Sequence, residues 1–237
     1  MDKSKRIVTI RHQSVFDAGV FGNLRVDVIG CGATGSQIAM QLAKLGIKNL
    51  HLWDFDIVEA HNCANQLFYL DDVDKQKVEA LGEHIQRATG LSPTLHNERV
   101  DGSQELGDVV FLLTDTMSSR KEIWENGIAD SLTIKLMIET RMGVDDGKIY
   151  TINPQDIAEG EFWESTLCED TKTLPSACGG KTSVGPTASL ICGCAVWSFI
   201  QWFAYFQKEK NAEKPAKQLF FGIRPEMSVI TDSDLLV

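Results

Sequence analysis

The stretch VIGCGATGSQIAMQLAKLGIKNLHLWDFD, residues 28–56, constrains the fold more than any other part of the chain. An apolar run leads into Gly30, Gly32 and Gly35, spaced G-x-G-x-x-G. An amphipathic stretch, a second apolar run and two aspartates follow. That order reads as strand, tight turn, helix and strand. The first glycine allows the turn, the second lets backbone approach a phosphate or sugar, and the third lets the helix pack on the strand. Asp54 ends the second strand, where a carboxylate meets a ribose hydroxyl pair. These residues alone leave NAD and ATP both open as ligands.

The rest of the chain continues the alternation. Strands are expected at 24–30, 49–54, 94–100, 109–114 and 133–139. Helices are expected at 33–45, 73–88 and 118–129. Strands alternating with helices imply parallel pairing, hence an α/β fold with a doubly wound, mostly parallel, Rossmann-like sheet. After Gly147 the pattern changes. A strand at 148–153 precedes a long Gly/Glu/Thr/Pro-rich crossover loop at 155–181. A final strand pair at 218–223 and 227–231 gives an antiparallel C-terminal extension. No linker splits the chain, so residues 1–237 are expected to form one domain. Its nucleotide-binding part covers about 24–147, and the crossover loop with the C-terminal helix and strands covers about 148–237.

Charge narrows the function. The net charge of −10 argues against a broad grip on nucleic acid, which needs clustered Lys and Arg. No signal-peptide pattern opens the chain, so a cytoplasmic location is expected. Residues 187–207 carry no charge and approach the length of a membrane span. A core or interface helix accounts for that composition equally well, and no membrane contact is expected.

Beyond the glycine turn, further groups fit phosphate chemistry. Asp56 follows Asp54 by two residues, then come Asn62, Gln66 and Lys77. The strand at 109–114 ends in Asp115, with Arg120 five residues later. A carboxylate at the end of a parallel strand sits at the mouth of the crevice, well placed to hold Mg²⁺ beside phosphates. Hydride transfer does not need that metal carboxylate; adenylyl transfer does.

Taken together, G-x-G-x-x-G, D-x-D-x-V, Asn-x-x-x-Gln, Lys77 and T-D-x-x-x-x-R resemble the ThiF/HesA-type adenylyltransferases, relatives of ubiquitin-activating enzymes. The resemblance runs over about 11–204 and includes PSACGGKTSVGPTASLICG. It implies ATP and Mg²⁺ as cofactors and a homodimer. The implied partner is a small ubiquitin-like or sulfur-carrier protein whose C-terminal glycine carboxylate becomes an acyl-adenylate. By position, the turn Gly30, Gly32 and Gly35 would face adenosine and phosphate. Asp54 would hold the ribose, Asn62, Gln66 and Asp56 would line the pocket, and Lys77 would meet the phosphates. Asp115 would hold the metal. Arg11 would match an N-terminal arginine that reaches the partner subunit's phosphates. Cys178, followed by Lys181, would match a reactive cysteine; an idle thiol is the plainer reading.

Two departures stand out. Asn65 occupies the place of an arginine that precedes the glutamine in the family. Arg141, just after the strand at 133–139, is the expected substitute cation, with a salt bridge to Glu139 or Asp145 as the alternative. The two C-x-x-C pairs that hold zinc in many members are missing, and Cys192 and Cys194 would point roughly 200° apart on a helix. No zinc is therefore expected. A non-catalytic partner subunit and an NAD-dependent oxidoreductase are the rival functions.

Overall fold

The β-α alternation of the first half closes into one twisted sheet in the computed structural model, which describes residues 6–170 and 184–232. Strands β1 (Val26–Ile29), β2 (Leu50–Trp53), β3 (Thr94–His96), β4 (Val109–Leu112) and β5 (Leu136–Met142) run parallel. Strands β6 (Asp146–Ile152), β7 (Gln218–Gly222) and β8 (Ser228–Thr231) add antiparallel. The order is β3-β2-β1-β4-β5-β6-β7-β8. The expected doubly wound sheet with an antiparallel extension is thus present. The order in which strands are added reverses between β1 and β4, so their carboxyl ends open a crevice there. Register aligns those ends: Ile29 pairs with both Trp53 and Leu112, and Leu112 with Glu139.

The central strands are apolar on both sides because both faces are covered. Val26, Val28, Leu52, Phe111 and Ile138 face one core with α2 (Gly35–Leu45), α3 (Lys77–Thr89) and α6 (Gly185–Phe206). Ile29, Val110, Leu112 and Met137 face the other core, with Ile123 of α4 (Met117–Ile123) and Trp163 of α5 (Ile157–Ser165). A short α1 (Ala18–Phe21) sends Phe21 into the first core, against Phe199 and Phe203. Among the described residues α6 is the one helix long and apolar enough to cross a membrane. It packs along α2, β5 and β6, and the face carrying Ile191, Ala195, Phe199 and Phe203 is buried.

Three expectations need correction. The stretch at 155–181 is not all loop, since α5 lies within it. Its apolar residues do not repeat on one face, which hides it in the sequence. Asp156 caps it by accepting from the Ala158 and Glu159 amides, and Trp163 locks it by packing its ring, tilted by 41°, against Trp124 at 4.7 Å. The helix at 118–129 is regular only to Ile123; residues Trp124–Ile128 widen into a π turn. The strand at 133–139 is shifted to Leu136–Met142, because a turn at 143–145 hands it straight to β6.

Candidate active site

The crevice at the carboxyl ends of β1, β2 and β4 encloses about 700 Å³. Its floor is the glycine turn. Gly30 has φ +94° and donates its N–H to the Trp53 carbonyl at 2.8 Å. A Cβ on Gly35 would overlap the Gly30 carbonyl oxygen. A Cβ on Gly32 would meet nothing within 4 Å, so this edge of the backbone lies bare to the crevice.

Asp54 follows β2 and is 9% exposed. One of its oxygens accepts from the Cys31 amide at 2.6 Å, the other from the Asp56 amide at 2.9 Å. Burial pushes its carboxyl above the ordinary value, and Lys77 and these amides oppose the shift without cancelling it. Asp56 takes the next place: its carboxylate binds the Lys77 ammonium at 2.7 Å, while the Lys77 amide donates to the Asp56 carbonyl. Lys77 starts α3 and is almost wholly buried, so its charge is aimed before any ligand arrives. Asn62 is buried in a single 3₁₀ turn, where its Oδ1 accepts from the Glu59 amide. Asn65 and Gln66 line the wall beside it, and Gln66 Oε1 is buried without a hydrogen-bond donor. Opposite stand Thr114, whose hydroxyl is likewise buried and unpartnered, and the exposed Asp115. Among the described residues no three His, Cys, Asp or Glu side chains gather as a metal cage.

The crevice therefore assembles Gly30, Gly32, Asp54, Asp56, Asn62, Gln66, Lys77 and Asp115. Gly35 supports the turn from beneath. Arg11 is exposed in the N-terminal turn and does not line the crevice. Cys178 lies outside the described residues. Cys192 is buried in α6 with its thiol pushed up to about 12 by burial, and it donates to the Thr34 carbonyl.

Arg141 does not face the crevice. Side chains alternate along β5, so Thr140 and Met142 line the crevice while Glu139 and Arg141 turn to the Trp163 side. There Arg141 Nε donates to both Glu139 oxygens, at 2.9 and 3.0 Å, and its other nitrogens donate to Thr166. The salt bridge to Glu139 is the correct alternative. A buried arginine that does line the crevice is Arg120 of α4, at 4% exposure. Its place in T-D-x-x-x-x-R signals it, because one helical turn beyond Asp115 returns the chain to the crevice.

Burial pushes the Glu139 carboxyl up, but Arg120, Arg141 and their hydrogen-bonding neighbour Trp163 together hold it below its ordinary value of 4.5. A depressed carboxylate adds stability that is fully present above its unfolded value and is lost as pH falls through its folded value. Urea midpoints of the native chain are thus expected to drop more steeply below pH 4.5 than those of Glu139→Gln. Parallel acid limbs for the two proteins would show that this group is not linked to folding.

Comparison with known proteins decides the family. Residues 18–228 match the ThiF family. The chain belongs to it. Among curated ThiF relatives, the NEDD8-activating enzyme E1 catalytic subunit of Arabidopsis thaliana is 29% identical over 136 residues, 51% of this chain and 30% of that protein. The sulfur carrier protein ThiS adenylyltransferase of Escherichia coli is 29% identical over 137 residues, 55% of this chain and 53% of that one. The match thus spans 30% of the length of the first of these relatives and 53% of the second. Among solved structures, MccB of Escherichia coli with ATP aligns over 91% of this chain and 65% of that chain, with a TM-score of 0.66 at 16% identity. That likeness is one of fold.

Proposed function

We propose that this ThiF-family chain is an ATP-dependent adenylyltransferase acting on the C-terminal carboxylate of a small ubiquitin-like or sulfur-carrier protein. The observation that carries the reading is the meeting of bare Gly32 backbone, Asp54, Lys77 and Asp115 in one crevice. A nucleoside triphosphate fits these donors. Two buried side-chain oxygens, Gln66 Oε1 and Thr114 Oγ1, await a partner there, and Gly32 leaves room for phosphate or sugar. The names of the curated relatives, a NEDD8-activating subunit and a ThiS adenylyltransferase, support the acceptor class.

In the reaction, a carboxylate oxygen attacks the α-phosphorus and a new O–P bond forms. The bond from that phosphorus to the oxygen bridging to the β-phosphate breaks, and pyrophosphate leaves with the electron pair. Gly30 and Gly32 lie against sugar and phosphate, and Asp54 accepts from a ribose hydroxyl. Asn62 and Gln66 flank the nucleotide. Lys77, pre-aimed by Asp56, neutralises charge on the phosphates. Asp115 would hold magnesium, which would supply further positive charge to the leaving group. Arg11 would serve the partner protomer's crevice in a cytoplasmic homodimer; the exposed Trp197 and Tyr205 on the free face of α6 favour such pairing. Cys178 would receive the acyl group as a thioester: its sulfur, having lost the thiol proton, bonds to the acyl carbon as the bond from that carbon to the phosphate oxygen breaks and AMP leaves.

A second reading rests on Asn65, which puts an uncharged amide on the crevice wall where the family run carries arginine. It makes the chain a non-catalytic subunit. A peptide acceptor is a nearer variant, given MccB structures solved with MccA. ATP–pyrophosphate exchange with Mg²⁺ separates these readings, run alone, with ubiquitin-fold carriers ending in Gly-Gly, and with short peptides. Carrier-dependent exchange is expected. ATP binding without exchange under any acceptor favours the non-catalytic subunit. NAD binding in place of ATP would return the crevice to a dehydrogenase.

A further inference from the structure

Three crevice residues carry permanent positive charge: Lys77, Arg99 and Arg120. Lys77 is matched by Asp56. Arg99 is 61% exposed at its side chain and paired with Glu122. Arg120 is different. Its Nε lies 3.0 Å from Glu139 Oε1, yet it is buried and not aligned for a hydrogen bond with any acceptor. Its Nη2 reaches the Thr140 carbonyl at a long 3.4 Å, and its Nη1 faces the sulfur of Met117, a weak acceptor, at 3.6 Å. A buried guanidinium normally has its donors saturated.

Glu139 leaves Arg120 short because its oxygens are already taken. Arg141 Nε donates to both, and Trp163 Nε1 donates to Oε2 at 2.9 Å. Arg141 in turn is held by Thr166 and by the Tyr150 ring, 4.4 Å from its guanidinium carbon. One carboxylate therefore stands between two guanidinium groups, with bonds to one and only proximity to the other. Asp170 also feels Arg120; it is exposed and accepts from the Met117 and Ser118 amides. A buried guanidinium whose Nε has no aligned acceptor is costly until an acceptor completes it, and the crevice that Arg120 lines leaves room for one.

We propose that Arg120 is a second anion-binding group of this crevice beside Lys77, receiving the pyrophosphate portion of a nucleotide. Arg141 is its positioning residue: by taking the hydrogen bonds of Glu139 it leaves the Arg120 fork in ion-pair contact with that carboxylate but without an aligned bond to it. The identity of the anion rests on the adenylyltransferase reading; the existence of the anion site does not.

Titration calorimetry with inorganic pyrophosphate tests this on the full chain. Arg120→Met is expected to abolish binding. Arg141→Met frees Glu139 to close on Arg120, and binding is expected to weaken about tenfold. Adding Glu139→Gln to that variant is expected to restore affinity to within about threefold of the native chain. Glu139→Gln alone is expected to bind at least as tightly as the native chain, and it keeps the proposal testable should Arg141→Met fail to fold. A purely structural Arg141 predicts no rescue in the double variant. Absent pyrophosphate binding by the native chain, unchanged binding in Arg120→Met, weaker binding in Glu139→Gln, or a failed rescue each overturns the proposal. Pyrophosphate binding that follows the expected series while ATP exchange is absent with every acceptor would sink the adenylyltransferase reading and leave the anion site standing.

Discussion

Asp115→Ala is expected to lower carrier-dependent ATP–pyrophosphate exchange on the order of 10²–10³-fold, the scale of losing one preorganised electrostatic contact to a transition state. Asp115 stands just past β4, where the central parallel strand opens on the crevice, with the buried Thr114 hydroxyl beside it. Its carboxylate is exposed, so alanine there removes a charge without opening the core. The thermal midpoint is accordingly expected to stay close to that of the native chain, since surface substitutions usually fall within about 0.5 kcal/mol. ATP binding without magnesium is expected to persist, because Lys77, Asp54 and the glycine turn remain. Exchange within about threefold of native would remove Asp115 from the chemistry and with it the proposed metal ligand. Loss of exchange together with a collapsed midpoint would show a structural role instead.

Gly35→Ala is expected to cost about 3 kcal/mol or more of stability, or to prevent folding altogether. The methyl group would overlap the Gly30 carbonyl oxygen, which cannot retreat. Gly30 is itself at φ +94°, is bonded through its N–H to the Trp53 carbonyl, and faces the Leu113 carbonyl where any side chain would collide. Moving it would pull β1 away from β2 and β4. Gly32→Ala is the matched control in the same turn. Its methyl group would enter open space, so urea midpoints near native are expected, with ATP binding weakened because the ligand needs that space. Equal midpoints for the two variants would refute the close-packing account of the third glycine.

Much of the site was legible because its residues belong to chain ends that local pattern marks. Gly30, Gly32 and Gly35 follow an apolar strand and open a helix, Asp54 ends the next strand, and Asp115 ends another. Each is placed in the crevice or beneath it by the rule that a parallel strand delivers its carboxyl end to the switch point. Lys77 was legible by resemblance, yet its pairing with Asp56 was not, since the two are joined only when the 3₁₀ turns between them fold back.

The sequence by itself determined the alternation of strands and helices, the glycine turn, and which strand ends would meet a ligand, because those depend on local period and steric demand. The tertiary structure alone decided the fate of Arg141 and the isolation of Arg120. A shift of β5 toward β6 set the parity that turns Glu139 and Arg141 away from the crevice. A helix with no apolar stripe then brought Trp163 and Thr166 to hold them there. Strand parity depends on register against a distant partner, and a capped short helix depends on the surface it finds. Neither is written in the spacing of neighbouring residues.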